Sequence, residues 1–164
     1  MQKFERADFE VQEYVESENY GKFVLSPLER GFGTTIGNAL RRVLLSSLPG
    51  AAVFSIKVDG VYHEFTSIPG VREDVSMIIL HLKQLVMKIE DDEVYTLQIS
   101  AKGPCTITAG DIICPAQVEV INKDLEIAHL EKDVTLEMEL KAKNGRGYIS
   151  ADLNKQLNQG SYQG

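Results

Sequence analysis

Three glycines, Gly31, Gly33 and Gly37, stand at the entrance to an apolar helical pattern. Backbone N–H groups at such a place could cradle a phosphate. Their spacing, G-x-G-x-x-x-G, misses the dinucleotide fingerprint by one residue, and no Gly-Lys-Ser/Thr follows to make a P-loop. Tight turns and close backbone approach are the competing uses of such glycines. The histidines His63, His81 and His129 are scattered without HxH, HExxH or His-Cys spacing. Cys105 and Cys114 match no metal-site pattern and are too few for a disulfide framework, so they read as reduced thiols. The acidic run Glu90 to Glu93 lacks the glycine-turn order of a calcium loop, and Ser46-Ser47 has no neighbouring base. No catalytic residue and no metal ligand is therefore assigned. What remains is binding chemistry: the adjacent arginines Arg41 and Arg42 beside Leu45. Arginine offers a rigid fork for carboxylates and is enriched at interfaces.

These residues need a helix to hold them. Thr34 or Thr35 reads as the cap of a helix running to about Ser47, with Pro49-Gly50 as its stop. A single turn is expected before it, at Ser26-Pro27-Leu28-Glu29. On a wheel of about 3.6 residues per turn, Ile36, Leu40, Val43, Leu44 and Ser47 share one face, with Ala39 and Leu48 at its margins. Leu45 falls on the far side with Asn38, Arg41 and Arg42. The pattern predicts a helix used on both sides, one for a helix-helix core and one for a second partner. A solvated face with a stray leucine is the competing reading.

Around this helix, Phe9 to Tyr14 and Lys22 to Leu25 read as strands, with Asn19 and Gly21 as turn signals. From Ala51 onward the texture is β-rich. Val53 to Val58 and Val61 to Phe65 flank Asp59-Gly60, a strong hairpin signal. Residues 72 to 88 read as a second helix, with Val75, Ile78, Ile79, Leu82, Leu85 and Val86 at helical spacing. The strands expected after it are Val94 to Ser100, Thr106 to Ala109, Gln117 to Ile121, Ile127 to Leu130 and Thr135 to Lys143. Asn144-Gly145 is expected to turn the chain, Gly147 to Ala151 to form one more strand, and Asn154 to Gly164 to fray. The fold class is α+β. Residues 1–50 form a partial domain of two strands and one long helix, and residues 51–164 a β-rich domain with one main helix and a frayed tail. The first part, about fifty residues, is near the lower limit for independent folding and needs its apolar stripe covered.

The chain has 164 residues and a formal net charge of -7. Nonspecific nucleic-acid binding comes from Lys and Arg neutralising phosphates, so an acidic chain without a dense basic run should not grip DNA along its whole surface. Met1 to Glu10 shows no signal-peptide pattern, and no apolar run approaches membrane-spanning length.

The strings LSPLERGFGTTIGNALRRVLLSSLPGAAV, IKVDGVYHEFTSIPGVREDV, ILHLKQL and GRGY occur in that order. Together they closely resemble the amino-terminal region of the alpha subunit of bacterial-type multisubunit RNA polymerase. The resemblance implies a dimerisation domain begun by residues 1–50 and a β-rich insert domain from about 51 to 160. It implies a non-catalytic scaffold in transcription, a subunit of a nucleotidyltransferase complex. Two alpha subunits would pair as a homodimer and carry the beta and beta-prime subunits, to which catalysis and magnesium belong. No cofactor is implied for this chain, no membrane, and DNA only through the complex. The resemblance assigns Phe32, Ile36, Leu40 and Val43 to the dimer side, and Arg42 and Leu45, with Arg41 beside them, to the large-subunit side. Lys83 and the segment Gly145, Arg146, Gly147, Tyr148 match regions tied to large-subunit contact. A cytoplasmic, nucleoid-associated location is implied. In the family the chain returns from the insert to complete the dimerisation domain, and a DNA-binding carboxy-terminal domain follows. The present sequence stops at Gly164, where that return is expected to begin, so it is expected to be a fragment with its helix stripe uncovered. The alternatives from other classes are a small nucleotide-binding enzyme using Gly31, Gly33 and Gly37, and an unrelated β-rich adaptor.

Overall fold

The computed structural model describes residues 6–18 and 20–159. Asn19, expected in a turn, and the ends of the chain at 1–5 and 160–164 lie outside them. The chain divides into two compact units, Met1–Ser47 and Leu48–Gly164.

In the first unit, strands β1 (Asp8–Val15) and β2 (Tyr20–Ser26) form an antiparallel pair. A bulge between Val11 and Glu13 shifts the register. Its consequence is chemical. Phe9 opposes Leu25, Val11 opposes Phe23 and, past the bulge, Tyr14 opposes Gly21. Without the extra residue Tyr14 would point to the other face, since side chains alternate along a strand. One face of the pair therefore carries Phe9, Val11, Tyr14, Phe23 and Leu25.

Helix α1 (Phe32–Ser46) follows. It begins two residues before the expected threonine cap. Gly31 is the cap instead, at φ 90°, a backbone conformation that glycine adopts without strain. Thr35 only bonds back to the Gly31 carbonyl. The single turn expected at 26–29 does not form there: Ser26 ends β2, and the turn before the helix spans Glu29 to Phe32, closed by Phe32 N–H donating to Glu29 O. Pro49-Gly50, expected as a stop, opens the next strand.

The second unit is built on a five-stranded sheet in the order β5-β9-β3-β4-β7. Its strands are β3 (Pro49–Val58), β4 (Met87–Ile89), β5 (Tyr95–Lys102), β7 (Val118–Val120) and β9 (Thr135–Arg146). Strands β6 (Cys105–Thr108) and β8 (Glu126–Leu130) form a second, two-stranded sheet. Alternation places the core: Leu136, Met138, Leu140 and Ala142 of β9 are buried while Glu137, Glu139 and Lys141 face outward. Leu97 and Ile99 of β5, Ile107 of β6 and Ile127 of β8 complete it.

Helix α2 (Val75–Leu82) lays Val75, Ile78 and Leu82 on this core. It is shorter than the 72–88 expected. The Asp74 carboxylate caps its start by accepting from Met77 N at 2.7 Å. Its end is set from a distance: Asn122 accepts from Val86 N at 2.8 Å and donates to Gln84 O at 2.9 Å. Leu85 stays buried although it is outside the helix.

Three other expectations are corrected. Asp59-Gly60 turns the chain, with Gly60 at φ 76°, but residues 61–65 form no strand. β3 takes β9 as its partner instead, and Asp59 N–H continues that ladder by donating to Glu137 O. Asn144 and Gly145 lie within β9, and the turn comes at Gly147, φ 64°. Residues 147–150, expected to begin a last strand, form neither strand nor helix, and the described part of the expected frayed tail lies in helix α3 (Ala151–Gln159), with 160–164 outside the described residues.

Candidate assembly interface

α1 is an amphipathic helix left largely uncovered by the described residues: none of its fifteen residues is buried. Ile36 alone is half-covered. Phe32, Leu40, Val43 and Leu44 are 52%, 44%, 55% and 57% exposed. Each such side chain forgoes part of the about 1.5–3 kcal/mol that full burial would give. A helix of this length without tertiary support is marginal. The opposite side carries Leu45, 64% exposed, with Arg41 and Arg42, both exposed. Among the described residues neither arginine forms an ion pair.

The glycines belong to this helix. Gly33 and Gly37 lie inside α1, and a Cβ on either would meet nothing within 4 Å. At about 100° per residue they fall on the same stripe as Leu40 and Leu44. They make bare helix surface there, which permits close approach by another backbone. Gly33 and Gly37 are thereby removed from any loop, leaving only Gly31 before the helix.

The hairpin adds a second uncovered surface that the sequence reading missed. Phe9, Val11, Tyr14 and Phe23 are 61%, 59%, 66% and 54% exposed on the one face. A Cβ at Gly21 would lie 2.6 Å from the Phe23 ring and 3.6 Å from the Tyr14 ring, which shows how these aromatics close over the glycine. The alternation Phe9, Val11 signals half of this face, and the bulge hides the other half.

In the second unit, Lys83 is the exposed cap residue ending α2. Gly145 and Arg146 are the last residues of β9, opposite Gly50 and Pro49, and Tyr148 is 89% exposed. The two segments approach one point of the sheet: Met87, four residues past Lys83, pairs with Ala51, and Asn144 pairs with the same Ala51 from the other side. The loop after β3 also presents aromatics outward. Tyr62 and Phe65 are 96% and 78% exposed, on a loop held by Ser76 Oγ donating to Glu64 O at 2.8 Å. Sequence reasoning had placed both in a strand.

The remaining candidates for chemistry are dispersed. His81 Nδ1 is 2.9 Å from Ile127 O, tying α2 to β8. His129 is engaged by Glu73, and His63 by Thr66. Among the described residues no group of three or more His, Cys, Asp or Glu could hold a metal ion. A cleft of about 440 Å³ is bordered by Lys88, Glu90, Cys114, Glu119 and Lys123. Burial pushes the Cys114 thiol up, away from the thiolate a nucleophile needs. None of Gly31, Gly33 and Gly37 borders the cleft. Among the described residues no helix is long and apolar enough to cross a membrane.

Residues 56–162 match the family described as the RNA polymerase Rpb3/RpoA insert domain. The chain is 55% identical, over 94% of its length, to the DNA-directed RNA polymerase subunit alpha of Alkaliphilus metalliredigens, of which the match covers 49%. The corresponding subunits of Desulfitobacterium hafniense and Desulforudis audaxviator are 53% and 54% identical over 97% and 96% of the chain, and half of each is covered. The chain thus spans about half the length of these relatives.

Proposed function

The chain belongs to the RNA polymerase alpha-subunit family and carries its insert domain, and on that premise we propose that it is a non-catalytic assembly subunit of DNA-directed RNA polymerase. The observation that carries the reading is α1, which leaves a greasy stripe exposed on one side and Leu45 with two arginines on the other. In this reading Phe32, Ile36, Leu40 and Val43 pair with a second alpha subunit, with Gly33 and Gly37 letting the backbones approach. Arg41, Arg42 and Leu45 dock a large subunit. Lys83 and the segment Gly145, Arg146, Gly147, Tyr148 supply further large-subunit contact from the insert domain, and the exposed Tyr62 and Phe65 extend that surface. Catalysis and its magnesium belong to the large subunits, so DNA is met only through the complex.

The uncovered hairpin face supports the same reading. Clustered exposed apolar side chains mark an interaction surface, and Phe9, Val11, Tyr14 and Phe23 would pack against another part of the alpha-subunit assembly. A nucleotide-binding enzyme is the weaker reading, since two of its three glycines are helical. Co-purification with the beta subunit tests the proposal: the native chain should capture beta, and Arg42→Ala with Leu45→Ala should not. Undiminished capture by the double variant would overturn the assignment. Calorimetric titration with nucleotides separates the enzyme reading, because the assembly reading expects no heat.

A further inference from the structure

The chain between β4 and β5 has to cross the sheet, because β3 and β9 lie between those strands in the sheet order. One side chain holds that crossover. Asn144 Nδ2 donates to Ile89 O at 3.1 Å and to Asp91 O at 2.6 Å. Asp91 in turn organises the turn that follows, accepting from Glu93 N at 3.0 Å and from the Tyr95 hydroxyl at 2.6 Å. Both amide hydrogens of Asn144 are thereby committed to carbonyl oxygens.

The next residue is Gly145, exposed at the end of β9, where a Cβ would meet nothing within 4 Å. An asparagine followed by an unshielded glycine nitrogen is chemically labile, because no side chain hinders attack of that nitrogen on the carboxamide. We propose that Asn144-Gly145 is a spontaneous deamidation site, held latent by the Asn144 clamp on the 90–94 crossover. The deprotonated Gly145 nitrogen attacks Asn144 Cγ, the Cγ–Nδ2 bond breaks, and Nδ2 leaves as ammonia after taking up a proton. The resulting succinimide ring is opened by one water at either carbonyl, giving aspartate or isoaspartate at position 144. No electrons are transferred. In the folded chain the strand pairing with Ala51 and the two donated hydrogen bonds hold the carboxamide against the crossover and out of ring closure.

The product cannot restore the clamp. A carboxylate only accepts hydrogen bonds, and it would face the carbonyl oxygens of Ile89 and Asp91, two further acceptors. The modification is therefore one-way: each event frees the crossover and adds a negative charge beside Arg146.

The test is peptide mapping of the full chain after incubation in mildly alkaline buffer, native and in concentrated urea. Aspartate and isoaspartate at 144 should form roughly tenfold or more slowly in the native chain, as two lost hydrogen bonds require. Gly145→Ala, which the open space around that residue accommodates, should slow the reaction in urea roughly tenfold, the scale of about 1.4 kcal/mol on a barrier. Asn144→Asp should speed amide exchange at 90–95 while leaving Leu136 to Leu140 protected. Equal rates of modification in the native and urea-treated chains would overturn the proposal, as would unchanged exchange at 90–95 in a folded Asn144→Asp variant. If that variant does not fold, the rate ratio alone decides.

Discussion

The Glu73 carboxylate takes two hydrogen bonds from one residue, His129: its backbone N–H at 2.7 Å and its ring Nδ1 at 2.7 Å. The pair joins the segment before α2 to β8, where Arg72 N also donates to His129 O and Glu131 N to Gly70 O. Glu126 approaches the other ring nitrogen at 3.6 Å. The Glu73 side chain is only 10% exposed. Glu73→Ala should cost about 1.5–3 kcal/mol in urea unfolding, the range for hydrogen bonds to a charged group. Glu73→Gln, which keeps an acceptor for the backbone N–H, should cost less. Equal stability of all three chains would refute the role.

The same carboxylate sets a pH dependence. Burial raises its pKa, but the bonds from the His129 backbone and ring outweigh burial and leave it below the ordinary 4.5. A lowered acid contributes stability that is present above its unfolded pKa and lost as pH falls through the lower folded value. Stability measured from neutrality downward should hold to about pH 4.5 and then drop, and Glu73→Gln should flatten that drop. A variant with the native acid profile would contradict this.

Tyr95 gives the opposite sign at the other end of the scale. Its hydroxyl donates to Asp91, and that hydrogen bond, with the neighbouring charges of Asp91, Glu93 and Glu90, pushes the phenol up to about 12. The neutral phenol is the favoured form, so the contribution is present below the unfolded value of about 10 and fades as pH rises through the folded one. In an alkaline absorbance titration, one of the six tyrosines should ionise last, and Tyr95→Phe should remove that step. A late step that survives in Tyr95→Phe belongs to another residue.

Gly103 is required by close approach rather than by its dihedral angles. Its N–H donates to Val134 O at 2.7 Å, and a Cβ there would collide with the Glu131 carbonyl oxygen and lie 3.0 Å from Leu130 Cβ. Backbone cannot swing aside as a side chain can. Gly103→Ala should destabilise by about 1–3 kcal/mol, the usual range for overpacking. Gly145→Ala, with open space around it, serves as the control. Denaturation midpoints that are alike for the two variants would show that the turn yields freely.

Elements whose signal is local were legible in the sequence. The alternation of Leu136, Met138, Leu140 and Ala142 reads directly as a strand, and the stripe Ile36, Leu40, Val43 and Leu44 as a helix face. Elements decided by distant partners were not. Leu85 and Val86 continue the helical period of α2, yet Asn122, 36 residues beyond Val86, draws that segment out of the helix. Asp59-Gly60 carries hairpin chemistry, but β9 occupies the edge of β3 and the chain leaves as a loop. Of the hairpin face, Phe9 and Val11 show their alternation, but Tyr14 does not, because a one-residue bulge after Val11 breaks the pattern. For the interface itself, the wheel separated the two sides of α1, whereas Lys83 and Gly145 to Tyr148 came only from resemblance.

The two sides of α1 predict opposite patterns of loss. Arg42 and Leu45 are exposed, and among the described residues the Arg42 side chain forms no hydrogen bond or ion pair, so alanine at either should change stability by no more than about 0.5 kcal/mol. Capture of a large subunit should fall in both, because the contact each would make lies off the apolar stripe. Leu40→Asp should do the reverse: a carboxylate on the stripe cannot be buried against a sister helix without a large desolvation cost, so self-association should fall. Ile36→Asp should weaken association and the fold together, since Ile36 is the one half-covered residue of the helix. Light scattering reads self-association and co-purification reads capture of a large subunit. If Leu40→Asp and Leu45→Ala lose both activities in parallel, α1 has one functional face rather than two, and the arginine side has no partner of its own.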